Sequence, residues 1–165
     1  MKAGPMSAIA LSRSIQVREF ATLLFGGDTT VKELTADILP ADAGAMAFFT
    51  NLDGQLRHAI VCDYGFANSA GAALSLITPA FIAQPIKRRQ IEDNIADNLR
   101  EVLNIAVNLF ATSDGEGLRL DSVVLQPRDQ TALPTSTARH RFEVAIPRYP
   151  AGRIDLLDLS TGVPV

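Results

Sequence analysis

The stretch that decides the fold is Ile91–Ala111, which reads IEDNIADNLREVLNIAVNLFA. Its apolar residues recur at the spacing of an α-helix, in which each residue turns by about 100°. The residues of this stripe are Ile91, Ile95, Leu99, Val102, Leu103, Ala106, Leu109 and Phe110. The pattern predicts a long helix with one side against a core.

The opposite side of this helix has an unusual composition. Its polar residues are Asp97, Glu101, Asn104 and Asn108, with further asparagines at Asn94 and Asn98. Asn costs about half a kcal/mol relative to Ala in a helix, because its side chain competes for backbone hydrogen bonds. Position 105 is Ile, so Glu101 has no basic partner one turn later. Two interpretations stay open: an Asn-rich solvated face, or a row of carboxylate and amide groups offered to a partner.

Length and composition bound the class of protein. The chain has 165 residues, of which 47% are hydrophobic, and this suits one packed domain. We expect a flexible arm over residues 1–12 and a single domain over residues 13–165. A net charge of −3 argues against nucleic acid or an anionic membrane as partner, since both attract concentrated positive charge. The lone Cys62 excludes an internal disulfide and suits the cytoplasm.

The first part of the chain predicts a helix and a hairpin. Ile15–Phe25 has a rough apolar face and ends at two glycines. Ala45–Thr50 and Gln55–Asp63 read as two strands. The Asp53-Gly54 pair between them tolerates the positive φ of a tight turn.

The segments on either side of the long helix complete the predicted fold. Gly71–Thr78 alternates small and large residues, which predicts a strand, and Pro79 and Pro85 leave room for only about two helical turns after it. The strands predicted after the long helix are Leu118–Leu125, Arg139–Ile146 and Arg153–Leu159. This order predicts an α+β fold, with helices packed on a mostly antiparallel sheet and the long helix between two β-rich segments.

Three residues of the polar face have a spacing that resembles a known motif. Asp97, Glu101 and Asn104 follow the pattern Asp-x-x-x-Glu-x-x-Asn. The pattern is similar to the signature of the CheC/CheX/FliY family of response-regulator phosphatases. Strand-like segments flank it, so the resemblance covers about residues 45–160. Thr22 stands where a second motif in the first helix would have Asn, which favours a CheX-like member with one site.

The resemblance implies an activity and roles for the residues. It implies hydrolysis of the aspartyl phosphate of a CheY-like response regulator, in chemotaxis or related two-component signalling. Asn104 would position the water, and Glu101 would pair with a Lys of the regulator. Asp97 and Asn108 would support the motif or contact the partner. The Mg²⁺ would belong to the regulator, so no cofactor of its own is expected, and similar proteins form homodimers.

Two other functions compete with this hypothesis. The same fold could be a catalytically silent module that binds a regulator, or an unrelated small α+β dimerisation domain could carry the Asn-rich face by coincidence. A metal site is not expected, because His58 and Cys62 on one predicted strand have only His140 as a further histidine. We expect His58 and Cys62 to lie in the core.

Overall fold

The computed structural model describes residues 5–110, 117–127, 135–136 and 138–159, with only the backbone for residues 5–12. The first helix, α1, spans Pro5–Phe25. It therefore begins earlier than the predicted start at Ile15, and residues 5–12 of the predicted arm belong to its backbone.

An antiparallel sheet of six strands forms the centre of the described part of the chain. The strands are β1 (Thr30–Leu34), β2 (Ala43–Asn51), β3 (Leu56–Asp63), β4 (Leu118–Leu125), β5 (Ala138–Ala145) and β6 (Gly152–Asp158). Their order is β1-β5-β6-β3-β2-β4, and every pair is antiparallel. The predicted α+β class is confirmed.

The predicted hairpin is confirmed as the pair β2–β3. The Asn51 side chain closes its turn, since Oδ1 accepts the backbone N–H groups of Asp53 and Gln55 at 3.0 and 2.9 Å. Gly54 has φ +79°, a value that glycine adopts without steric cost. The turn fixes the register that sends Ala45, Ala47 and Phe49 into the main core.

The helices pack on one face of the sheet. After α1 they are α2 (Tyr64–Leu74), α3 (Pro79–Arg88), α4 (Asp93–Ile105) and a 3₁₀ segment (Ala106–Phe110). The core between the helices and the sheet holds Ile60, Cys62 and Phe142 from the strands and Leu99 from α4. The other face of the sheet buries a smaller apolar cluster that includes Met46 and Val61.

The predicted strand at Gly71–Thr78 is wrong, because the first four residues of this segment are the last four of α2. Asp63 caps the helix: its Oδ1 accepts the N–H of Phe66 at 2.8 Å. The residues from Phe66 to Ala72 are all buried, so α2 is surrounded by protein. A helix buried on every side lacks the apolar–polar period that reveals a surface helix, and small residues that alternate with large ones then resemble a strand.

The helix after Pro79 is longer than expected. It has 10 residues and runs through Pro85, whose ring is buried. Pro79 stands at the start of α3, where its fixed φ suits a helix and its missing N–H costs nothing. The helix ends at Arg88 and is capped by Arg89, which adopts the left-handed conformation and donates its N–H to Ile86 O at 3.2 Å.

Candidate functional site

Helix α4 and the 3₁₀ segment carry the motif, and their apolar stripe faces the core as predicted. The buried residues of this stripe are Ile95, Leu99, Val102, Leu103, Ala106, Leu109 and Phe110. The α-helical part ends at Ile105 and tightens to 3₁₀ geometry over the last predicted turn. Ala111 lies outside the described residues. Burial of one stripe leaves the opposite side of α4 in contact with solvent.

The predicted site residues on the polar side of α4 and of the 3₁₀ segment are exposed to solvent. Asp97, Glu101, Asn104 and Asn108 are all exposed. The Asp97 carboxylate is 3.8 Å from the Arg100 guanidinium, an exposed pair worth little. Within the described residues, no basic group lies within 4 Å of the Glu101 carboxylate and no hydrogen bond engages the Asn104 amide. The two groups are therefore available to another molecule, one helical turn apart.

Asn98 does not belong to this polar side. Its Nδ2 donates to the backbone O of Gly71 at 2.8 Å and to Oγ of Ser75 at 2.9 Å, both on or next to α2. A Cβ at Gly71 would lie 2.7 Å from the backbone O of Ile95, so the two helices approach as closely as a glycine allows. Asn98 is thus a clamp between α2 and α4 and is not offered to a partner.

Helix α4 and the 3₁₀ segment after it are together called the motif segment. Arg13 of α1 holds the C-terminal end of this motif segment. Arg13 Nη1 donates to the backbone O of Leu109, and the guanidinium lies 5.2 Å from the centre of the Phe110 ring. Arg13 Nη2 is 3.5 Å from Asp158 Oδ1 on β6. The sequence analysis did not identify Arg13. The only indication in the sequence is that Arg13 is a charged residue in a turn of α1 whose other residues are uncharged.

His58 completes this network under the motif segment. Its ring stacks on Phe110 with centroids 4.3 Å apart, and its Nδ1 is 2.9 Å from Asp158 Oδ1. The hydrogen bond from His58 lowers the pKa of Asp158, and Arg13 acts in the same direction. Burial lowers the pKa of the neighbouring His140. The network ties the sheet, α1 and the 3₁₀ segment together.

Solved structures of other proteins share this architecture. The CheX-CheY-BeF3-Mg+2 complex from Borrelia burgdorferi matches with a TM-score of 0.58 at 11% identity, over 91% of this chain and 97% of that chain. FliY from Thermotoga maritima matches with a TM-score of 0.62 at 14% identity, over 98% and 93%. This chain has a CheC/CheX/FliY-like fold.

The CheC/CheX/FliY-like fold also includes the FliM middle domain from H. pylori, with a TM-score of 0.57 at 8% identity over 95% of this chain and 94% of that chain. No family model and no curated protein matches the sequence. The likeness therefore rests on three-dimensional structure. Within the described residues, none of the helices is both long and apolar enough to span a bilayer.

In the described part of this CheC/CheX/FliY-like domain, the other reactive or ionisable features lie away from the motif. Cys62 is a free, fully buried thiol, and burial raises its pKa well above the usual range. Among the described residues, no group of three His, Cys, Asp or Glu side chains could hold a metal ion. A cleft of about 480 Å³ lies between Asp63 and Arg89, away from the motif. The candidate site is thus an exposed helix surface.

Proposed function

We propose that this protein hydrolyses the aspartyl phosphate of a CheY-like response regulator. The observation that carries the proposal is the exposure of Glu101 and Asn104 on one side of α4, a helical turn apart. A surface of this kind suits a protein that inserts its groups into the pocket of another protein. A likeness in fold supports the proposal, since one similar structure is the CheX-CheY-BeF3-Mg+2 complex.

The chemistry needs little from the protein beyond positioning. In an aspartyl phosphate, attack by water forms a new O–P bond and breaks the bond from phosphorus to the carboxyl oxygen. Inorganic phosphate and the regulator's carboxylate are the products. A phosphoryl group reacts when the water is held in line with the leaving oxygen, and equatorial charge must be stabilised. The Asn104 amide has an acceptor and donors on one planar, neutral group, so it can hold that water.

Glu101 has the complementary role of docking. Its carboxylate would form a charge-assisted hydrogen bond with a Lys of the regulator's phosphorylation site, and this would fix the position of Asn104. Asp97 and Asn108 lie at the two ends of the same exposed surface and would contact the rim of the pocket. The regulator would supply the Mg²⁺ that stabilises charge on the phosphoryl oxygens. We infer that the protein works in the cytoplasm, in chemotaxis or a related pathway.

A homodimer is part of this proposal. Strands β1 and β4 are the two edges of the sheet, and every residue of β4 is exposed or partly buried. An edge strand can pair with a second copy through its unpaired backbone groups. Pairing at the β1 edge would leave α4 accessible, because α4 packs beside β4 at the opposite edge. Light scattering of the purified protein measures the mass of the particle and tests this point.

A silent regulator-binding module is the second candidate. The FliM middle domains share the fold, and a fold alone does not decide between binding and catalysis. An exposed carboxylate beside an amide would serve binding as well. The two functions differ in what Asn104 does: in a phosphatase it holds the reacting water, and in a binding module it is one contact among several.

The decisive experiment measures the decay of a phosphorylated regulator. CheY-like receiver domains encoded in the same genome are phosphorylated with acetyl phosphate, and phosphate release is followed with and without the protein. We expect faster decay with the wild type, at least about a hundredfold loss with Asn104→Ala, and wild-type activity with the matched control Asn94→Ala. Binding without any acceleration by the wild type would establish the silent module instead.

A further inference from the structure

Helix α1 exposes two large apolar residues beside the candidate site, on a face that also carries Arg18, Glu19 and Thr22, of which only Glu19 lines the groove described below. Ile15 is 54% exposed and Leu23 is 80% exposed. Glu19 lies between them, and a spacing of four residues puts all three on the same side of the helix. The other highly exposed leucines, such as Leu52 in the β2–β3 turn and Leu76 after α2, lie singly at the ends of elements. Contact between these two large apolar side chains and water is unfavourable, and exposed apolar groups that lie together indicate an interaction surface.

A groove joins this face to the motif segment. Its volume is about 280 Å³. One wall is Glu19, Phe20 and Leu23 of α1, and the other is Ile105, Asn108 and Leu109 of the motif segment. Asn108, in the 3₁₀ segment, extends the exposed polar side of α4 and lies four residues after Asn104. The surface is thus continuous from Glu101 and Asn104, across the groove, to Leu23.

The size of a specific interface requires surface beyond the motif. Stable complexes bury about 800 Å² on each partner. A few polar side chains on one helix supply only part of that area, so a regulator that receives Asn104 must also cover neighbouring surface. Apolar groups near the centre of an interface supply much of the binding energy. The α1 face and the groove offer such groups directly next to Asn108.

We infer that the groove and the Ile15–Leu23 face are a second docking surface for the same phosphorylated receiver domain, an inference that rests on the proposed function. Charge indicates which segment of the receiver fits. Glu19 lines the groove and Glu101 lies one turn before Ile105, and neither carboxylate has a basic group within 4 Å among the described residues. The segment in the groove therefore carries an apolar side chain next to a Lys or Arg.

The Ile15–Leu23 face sets the affinity of the complex and leaves the chemical step unchanged, because Ile15 and Leu23 lie on α1 and not on the side of α4 that carries Asn104. Removal of apolar contacts that are equal in the bound substrate and the transition state raises KM and leaves kcat unaltered. The side chains of Ile15 and Leu23 are both exposed, so their replacement preserves the fold.

The test is the steady-state decay of the phosphorylated receiver domain with the double variant Ile15→Ser/Leu23→Ser. We expect KM to rise about tenfold, with kcat within about twofold of the wild type. Leu52→Ser is the matched control: it removes a leucine that is 76% exposed in a turn outside this surface, and it should leave both constants unchanged. Glu19→Lys should raise KM in the same way, because it reverses the charge of the groove.

The outcomes separate this inference from the proposed function. An unchanged KM in the double variant, with activity lost in Asn104→Ala, overturns the second docking surface and leaves the phosphatase standing. Full activity in Asn104→Ala overturns the proposed function and this inference with it. Light scattering tests whether a second copy of this chain binds to the Ile15–Leu23 face instead. If the double variant lowers the mass of the particle and leaves KM unchanged, a second copy occupies this face and the inference is wrong.

Discussion

Single residues on α4 divide the work of the proposed site. Asn104 and Glu101 are both exposed, but only Glu101 offers a carboxylate that can form a charge-assisted hydrogen bond. Asn98, which is only six residues before Asn104, is engaged with Gly71 and Ser75 of a neighbouring helix. Amides on one helix thus differ in their surroundings: Asn98 holds α2 against α4, and Asn104 is exposed to solvent.

Glu101→Gln tests the docking role at this scale. Loss of one charge-assisted hydrogen bond weakens binding by about 1.5–3 kcal/mol, which corresponds to about a 10- to 150-fold higher Kd for the regulator. Calorimetric titration of the receiver domain carrying BeF3 and Mg²⁺, which has no phosphoryl group to hydrolyse, measures this change. The same titration with Glu33→Gln, an exposed glutamate on β1, should match the wild type. Equal affinity of Glu101→Gln and the wild type would contradict the docking role.

At the scale of elements, α4 is placed by its contact with α2. The clamp at Asn98 and the absence of a side chain at Gly71 let the two helix backbones approach closely. At the other end, Arg13 of α1 holds the carbonyl of Leu109. The exposed side of α4 is therefore fixed at both ends, which satisfies the need for a pre-organised positioning group.

Gly71→Ala should disturb this placement. The added methyl group would lie 2.7 Å from both the backbone O and Cγ2 of Ile95, so one of the helices must shift. Overpacking of this kind costs about 1–3 kcal/mol. Urea unfolding measures the loss of stability. Gly27→Ala is the matched control, since nothing lies within 4 Å of its Cβ position. Equal unfolding midpoints for the two variants would refute the close contact.

At the scale of the whole molecule, a polar network joins the sheet to the helical layer. Asp158 Oδ1 on β6 lies 2.9 Å from His58 Nδ1 on β3 and 3.5 Å from Arg13 Nη2 on α1, and Phe110 of the motif segment packs between His58 and Arg13. These groups come from four elements that are far apart in sequence. The network couples the stability of the fold to the ionisation of one carboxylate.

The ionisation of Asp158 determines the direction in which the free energy of unfolding changes at acid pH. Because the hydrogen bond from His58 lowers the pKa of Asp158 in the folded state, the native protein binds fewer protons than the unfolded chain between the two pKa values. The contribution of Asp158 to the free energy of unfolding is fully present above the pKa of Asp in the unfolded chain, which is about 4. This contribution is lost as the pH falls through the lower pKa of the folded state.

Asp158→Asn should therefore be less stable than the wild type at pH 7, by about 1–3 kcal/mol, because Arg13 and His58 lose their charged partner. The difference should shrink as the pH falls below about 4. Urea unfolding at a series of pH values measures both quantities. Asp121→Asn on the exposed edge strand serves as control. A difference that stays constant down to pH 2 would show that the ionisation of Asp158 does not carry the effect.

The accuracy of the sequence predictions follows from where each element lies. The β2–β3 hairpin was predicted correctly because its turn chemistry is local, and α4 because one side meets the core and the other meets water. The segment Gly71–Thr78 was predicted wrongly because α2 is buried on nearly all sides and has no such contrast. Arg13 was missed because its partner, Leu109, lies 96 positions along the chain.

The sequence by itself determined the α+β class, the apolar side of α4 and the residues on its exposed side, because local periodicity records which side of an element faces water. Only the tertiary structure decided that α2 is a helix, that Asn98 is a clamp and that the α1 face adjoins the motif. Contacts between distant segments carry no local signal, since they depend on how the elements pack and not on the spacing within any one of them.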